Sequence, residues 1–108
     1  MIRRFGQMIS LKPDGADEYI RLHAAVWPGV LVMISTCNIR NYSIYFKDNY
    51  LFSYFEYTGS DFDADMDKMA ADPETQRWWD VVKPLMEPLE NRETDEFWSN
   101  MQEIFHLE

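Results

Sequence analysis

Residues 41–57 constrain the fold of this chain more than any other stretch. Tyr42, Ile44 and Phe46 alternate with Asn41, Ser43 and Tyr45, and the chain returns through Leu51-Phe52-Ser53-Tyr54-Phe55-Glu56-Tyr57. Alternation with a period of two is the pattern of a strand with one buried face. The polar Lys47-Asp48-Asn49 between the two runs supplies turn residues, so the segment reads as a β-hairpin. The flanking sequence has to supply the remaining strands and a cover for the apolar face.

Upstream, Ile2 to Leu11 reads as a strand with Phe5, Ile9 and Leu11 leaning one way, although Arg3-Arg4 interrupt the alternation. Pro13-Asp14-Gly15 breaks it. A helix is predicted from Ala16 to about Trp27, where Pro28 limits it or starts a further turn through Ile34. Tyr19, His23, Val26 and Val30 share one side of it, and Ile20, Trp27 and Leu31 widen that stripe. Downstream, Gly59-Ser60-Asp61 ends the hairpin and caps a second helix, Phe62 to Ala71, with Met66, Met69 and Ala70 as its apolar face. Asp72 as N-cap and Pro73 at the first helical position restart the helix to about Val82. The proline-punctuated, acidic Lys83–Glu96 reads as the longest loop, and Met101–Leu107 as the last strand. The order β-α-β-β-α-β predicts one α+β domain over residues 1–108, a ferredoxin-like antiparallel sheet with its helices on one face. The other face, expected to be aromatic, is left for a second copy, which makes a homodimer the expectation.

Charge narrows the partners. Nineteen acidic against ten basic residues give a net charge of −9, which repels phosphate backbones and anionic lipid. Nucleic acid and membrane are poor partners, and a small neutral ligand fits better. Cys37 is the only cysteine, so no intrachain disulfide forms. Without a long apolar run or a hydrophobic N-terminal segment, the expected location is the reducing cytoplasm. Ser-Thr-Cys-Asn is no catalytic cysteine signature, so Cys37 reads as a small, half-buried filler.

Trp78-Trp79 is the second unusual feature. Neighbouring helical residues point about 100° apart, so two indoles rarely share one core stripe. One of them tends to line a cavity, close an interface or sit half exposed. Packing and a ligand wall are both open for this pair, whereas Trp27 and Trp98 read as packing. An indole face stacks on the C–H face of a pyranose, and the hydroxyls of Tyr19 and Tyr42 suit the sugar's polar rim. His23 stands one helical turn after Tyr19, and the chain has one other histidine, His106. A lone histidine on an apolar face is commonly a packed residue, but an imidazole is also the side chain best suited to moving a proton near neutral pH. A metal is not expected, because no His-x-x-x-His or cysteine pair occurs and the Asp61–Asp67 run lacks the spacing of a calcium loop. Clustered glycines and Gly-x-Ser-x-Gly are absent too, so neither a nucleotide cradle nor a hydrolase triad is indicated.

Five motifs in register carry a resemblance. Glu18-Tyr19-x-x-x-His23, Val26-Trp27-Pro28, Asn41-Tyr42-Ser43-Ile44-Tyr45, Asp72-Pro73-x-x-Gln76-Arg77-Trp78-Trp79 and Glu103-Ile104-Phe105-His106-Leu107 together resemble the L-rhamnose mutarotase family over nearly the whole chain. The resemblance implies a dimeric ferredoxin-like fold, no cofactor, and exchange of the α and β anomers of a 6-deoxy-L-sugar. It implies that His23 is the proton donor and that Tyr19, Tyr42, Trp78 and Trp79 bind sugar. L-rhamnose is the first expectation for the substrate and L-fucose the second. Two rivals stand beside it: a cofactor-free monooxygenase on the same kind of sheet, and a sugar-binding or regulatory dimer without catalysis.

Overall fold

The computed structural model describes residues 2–108. The elements run β1 (Arg3–Leu11), α1 (Ala16–His23), α2 (Pro28–Thr36), β2 (Ile39–Lys47), β3 (Tyr50–Tyr57), α3 (Phe62–Ala71), α4 (Pro73–Val82), a 3-10 turn (Lys83–Leu85), β4 (Met86–Glu87) and β5 (Ser99–Met101). The sheet is antiparallel in the order β2-β3-β1-β4, and β5 also pairs with β1. Together with the helices on one face, this is the ferredoxin-like α+β arrangement expected from the element order.

The hairpin turns at Asp48 and Asn49, both at positive φ (54° and 65°), with Lys47 opposite Tyr50. Two successive left-handed residues are what a tight hairpin with right-twisted strands requires, and Asp and Asn tolerate that conformation best after glycine. A second irregularity has a larger consequence. The β2–β3 register shifts between Arg40 and Ser43, and Asn41 sits at φ 52°. A one-residue bulge turns every following side chain to the opposite face. Arg40 pairs with Glu56 before the bulge and Ile44 with Ser53 after it, so Tyr42, Ile44 and Phe46 point to the helical side.

On that side Ile9, Leu11 and Leu51 form one cluster with Tyr19, Val30, Trp78, Val82 and Met86. Phe55, Tyr57 and Ile39 form a second, with Phe5, Phe62, Met66 and Met69 packed on it. Asp61 caps α3 by accepting from the Ala64 amide at 3.1 Å, and Asp72 caps α4 by accepting from the Thr75 amide at 2.9 Å and its hydroxyl at 2.8 Å. Both caps were expected. Ala70, expected on the apolar face of α3, is exposed.

Three boundaries differ from the sequence expectation. The first helix ends at His23 rather than near Trp27, and Trp27 is the extended N-cap of α2, because the residue before a proline avoids the helical region. The Lys83–Glu96 stretch is not all loop, since Met86–Glu87 pairs with Ser10 and Leu11. The last strand is Ser99–Met101, not Met101–Leu107, and residues 102–108 run on without secondary structure. That tail is anchored by Arg4, which donates to both carboxylate oxygens of Glu103 at 2.9 Å. Cys37 is fully buried rather than half-buried, lies 3.6 Å from Met33 Sδ, and has its thiol pKa raised by burial.

Candidate active site

His23 is the last residue of α1, and its ring folds back over the preceding turn. It stacks on Tyr19, with ring centroids 4.0 Å apart and planes 23° from parallel. Nδ1 lies 2.8 Å from the Tyr19 carbonyl oxygen. A carbonyl can only accept, so this bond requires the proton on Nδ1 and leaves the lone pair of the neutral ring on Nε2. Burial lowers the imidazole pKa below its ordinary value, and the bond to Tyr19 opposes that shift only in part. The resting imidazole is therefore a neutral base of defined tautomer.

Trp78 walls the ring from α4. It stands edge-on to His23 at 5.2 Å and edge-on to Trp27 at 5.2 Å on its other flank. Asp72-Pro73 sets the start of α4 and so sets where Trp78 falls. Trp78 is 5% exposed, while Trp79, one residue on, is half-buried. Trp79 carries Lys83 Nζ 4.3 Å above its ring, and the same ammonium lies 5.1 Å from Phe97. The two indoles thus separate as the helix geometry demands: one in the core beside His23, the other at its edge. Lys83 did not stand out in the sequence, because a lysine just past a helix end has no distinguishing pattern until Phe97 folds back towards it.

Tyr42 approaches from the sheet. Its ring leans on Phe55 at 5.6 Å, with 43% of the residue exposed. The hydroxyl end is shielded, and burial pushes the phenol up to about 12. Burial likewise raises Tyr19, with a smaller contribution from the Tyr42 phenol. Both keep their protons at neutral pH and can donate. Of the five residues singled out, Tyr19, His23 and Trp78 pack together, Tyr42 leans on Phe55 from the sheet, and Trp79 packs against the cluster that holds Tyr19 and Trp78. Asn41, whose left-handed backbone turns Tyr42 inward, went unrecognised in the sequence; the only signal was an asparagine, tolerant of positive φ, inside a strand.

His106 lines a hollow of about 600 Å³ with Ile2, Arg4, Glu56 and Glu108 on the far side of the sheet. A smaller hollow of about 240 Å³ lies by Met8, Leu89, Arg92, Ser99 and Met101. Among the described residues, no three His, Cys, Asp or Glu side chains converge closely enough to hold a metal ion, and no helix is long and apolar enough to cross a membrane.

A neutral imidazole stacked on a protonated phenol and walled by an indole, on a ferredoxin-like sheet, is a group that can carry acid/base chemistry on a small ligand with an apolar face. The family model described as L-rhamnose mutarotase matches residues 4–107. The chain belongs to that family of isomerases. An L-rhamnose mutarotase from Phocaeicola vulgatus is 36% identical over 91% of both chains. Another, from Ligilactobacillus salivarius, is 31% identical over the full length of both. The crystal structure of an L-rhamnose mutarotase from Formosa agariphila shares the fold, with a TM-score of 0.75 at 19% identity, over 98% of this chain and 99% of that one.

Proposed function

We propose that this chain is a single-domain aldose 1-epimerase that interconverts the α and β anomers of L-rhamnose, with L-fucose as the second substrate reading. The observation that carries the reading is the His23 imidazole, neutral, with Nδ1 tied to the Tyr19 carbonyl and Nε2 left as base. Mutarotation needs a proton removed from O1 and one delivered to the ring oxygen as the C1–O5 bond breaks. His23 Nε2 takes the O1 proton as the ring opens and gives it back on reclosure, so the proton-donor role implied by the resemblance falls in the return step; a phenol or a water supplies the proton for the ring oxygen. Tyr19 is the favoured donor, since it is protonated and stacked against His23. The open-chain aldehyde turns about C1–C2, the O5 hydroxyl adds to the other carbonyl face, and the protons return by the same routes. Trp78 and Trp79 support the apolar face of the sugar, and Tyr42 binds a hydroxyl.

The same reading includes a homodimer in the cytoplasm. The uncovered sheet face presents Tyr45, Tyr50 and Met101, and the tail beyond it exposes Ile104 (90%), Phe105 (78%) and Leu107 (80%). Apolar surface of that extent is characteristic of an interface, and both hollows described above open beside it.

The direct test is the polarimetric relaxation of freshly dissolved α-L-rhamnose, and of an L-fucose anomer, with and without the protein. Faster relaxation to the same equilibrium rotation supports the mutarotase. An unchanged relaxation together with saturable sugar binding selects the binding-module reading, and oxygen uptake with a conjugated substrate selects the monooxygenase.

A further inference from the structure

The helical face of the sheet is not apolar throughout. In register across three strands lie Asn100 of β5, Gln7 of β1 and Ser53 of β3, with Gln7 directly opposite both. The next row on one side is Ile9 opposite Leu51, which belongs to the cluster holding Tyr19 and Trp78. The next row on the other side is Phe5 opposite Phe55, on which Tyr42 leans. The polar row therefore divides the two hydrophobic clusters, and it runs between the elements that carry the candidate site residues.

Two details mark this row as more than a packing irregularity. Gln7 Nε2 donates to Asn100 Oδ1 at 2.9 Å, which orients the amide; its second hydrogen and its carbonyl oxygen take no part in that bond. Ser53 is 4% exposed, and its hydroxyl is buried without any hydrogen-bond partner. An unpaired buried hydroxyl costs stability in the free chain, whereas nothing in strand geometry requires a polar residue at that position.

We propose that Gln7 and Ser53 form the polar floor of the sugar site and select the substrate by binding its ring hydroxyls between the Tyr19–His23–Trp78 wall and the Tyr42–Phe55 wall. The assignment rests on the mutarotase reading. The half-buried Gln7 offers both a donor and an acceptor, which suits a hydroxyl that is itself both. A rotamer change at Gln7, of the kind ligand binding commonly brings, opens the Ser53 hydroxyl to the sugar, and the bond it lacks in the free chain forms there. 6-Deoxy-hexoses that differ in hydroxyl configuration present different patterns to such a floor. Unpaired polar groups left by the wrong configuration provide the discrimination.

The test uses Ser53→Ala, which removes the hydroxyl, and Gln7→Met, which removes the amide while keeping a side chain of similar length, alongside the wild-type chain. Anomer exchange is measured against sugar concentration for L-rhamnose and for analogues lacking one ring hydroxyl at a time, and each variant is melted. Ser53→Ala should melt no lower than wild type, yet need about five- to ten-fold more L-rhamnose for half-saturation, the equivalent of one lost hydrogen bond. kcat should be little changed, and the deficit should vanish for the one analogue lacking the hydroxyl that Ser53 binds. Gln7→Met should behave likewise for a different hydroxyl. Unaltered half-saturation in both variants, or an equal loss for every analogue with a lowered melting temperature, overturns the floor and leaves a structural row. A wild-type chain that accelerates no exchange overturns the mutarotase reading, and the floor with it.

Discussion

Adjacent tryptophans with opposite fates make a sharp test of the packing. Trp78 is 5% exposed and wedged edge-on between His23 and Trp27 at 5.2 Å each. Truncating a buried tryptophan to alanine costs about 3–5 kcal/mol through lost transfer energy and the cavity left behind. Two lost aromatic contacts belong to that cost, at about 0.5–1.5 kcal/mol apiece. For a domain of this size each kcal/mol shifts the melting temperature by about 4–8 °C, so Trp78→Ala should melt at least about 12 °C lower. Trp79 is half-buried, and its most specific contact is Lys83 at 4.3 Å. An exposed cation–π contact is worth about 0.5–1 kcal/mol, so Trp79→Ala should lose only a few degrees beyond its modest burial. Trp78→Ala should therefore show first as lost stability, whereas Trp79→Ala should show first as weakened sugar binding. Thermal unfolding by circular dichroism, run beside sugar titrations, reads both quantities. If Trp78→Ala melts within a few degrees of wild type, or if Trp79→Ala falls as far, the described division between core and rim is wrong.

Other outcomes follow from the same geometry. Burial depresses the His23 pKa below its ordinary value of 6.5, so as the pH falls the unfolded chain takes up that proton before the folded one. Its contribution to stability is full above about pH 6.5 and is lost as the pH drops through the folded pKa; activity should fall on the same side and stay level from about pH 7 to 8.5. A pH–rate profile rising across the alkaline range would contradict the neutral-base role. Asn41→Gly should preserve the bulge and the activity, because glycine accepts positive φ, while Asn41→Val should strain it, misdirect Tyr42 and raise KM; equal activity in both variants would detach the bulge from the site. Sedimentation equilibrium should report twice the 12.9 kDa chain mass, and a clean monomer at micromolar concentration would remove the interface role of the aromatic face and tail.

What could be read from the sequence follows the range of the interactions concerned. The hairpin, both aspartate caps and the proline at the start of α4 were legible because each is written within a few residues: alternation, a capping side chain, a ring that fixes φ. The short β4 and β5 were not, since two or three residues carry no period and owe their pairing to β1 alone. His23 above Tyr19 was legible from four-residue spacing. The tautomer was not, because it depends on a side chain folding back to a carbonyl of its own helix. Alternation placed Tyr42, Ile44 and Phe46 together, but only the bulge at Asn41 determines that they face the helices. Gln7 and Ser53 sit at inward positions among apolar neighbours, and their alignment in one row needs the register of two strand pairs.

The measurement closest to the central claim is NMR exchange spectroscopy on L-rhamnose and L-fucose at anomeric equilibrium, with the wild-type chain and with His23→Ala. Nε2 of His23 is the proposed base, and Nδ1 bonds only its own helix. The variant should therefore remain folded while losing the exchange, and wild type should accelerate L-rhamnose more than L-fucose. Exchange that persists at wild-type rate in a folded His23→Ala protein would contradict the account at its core.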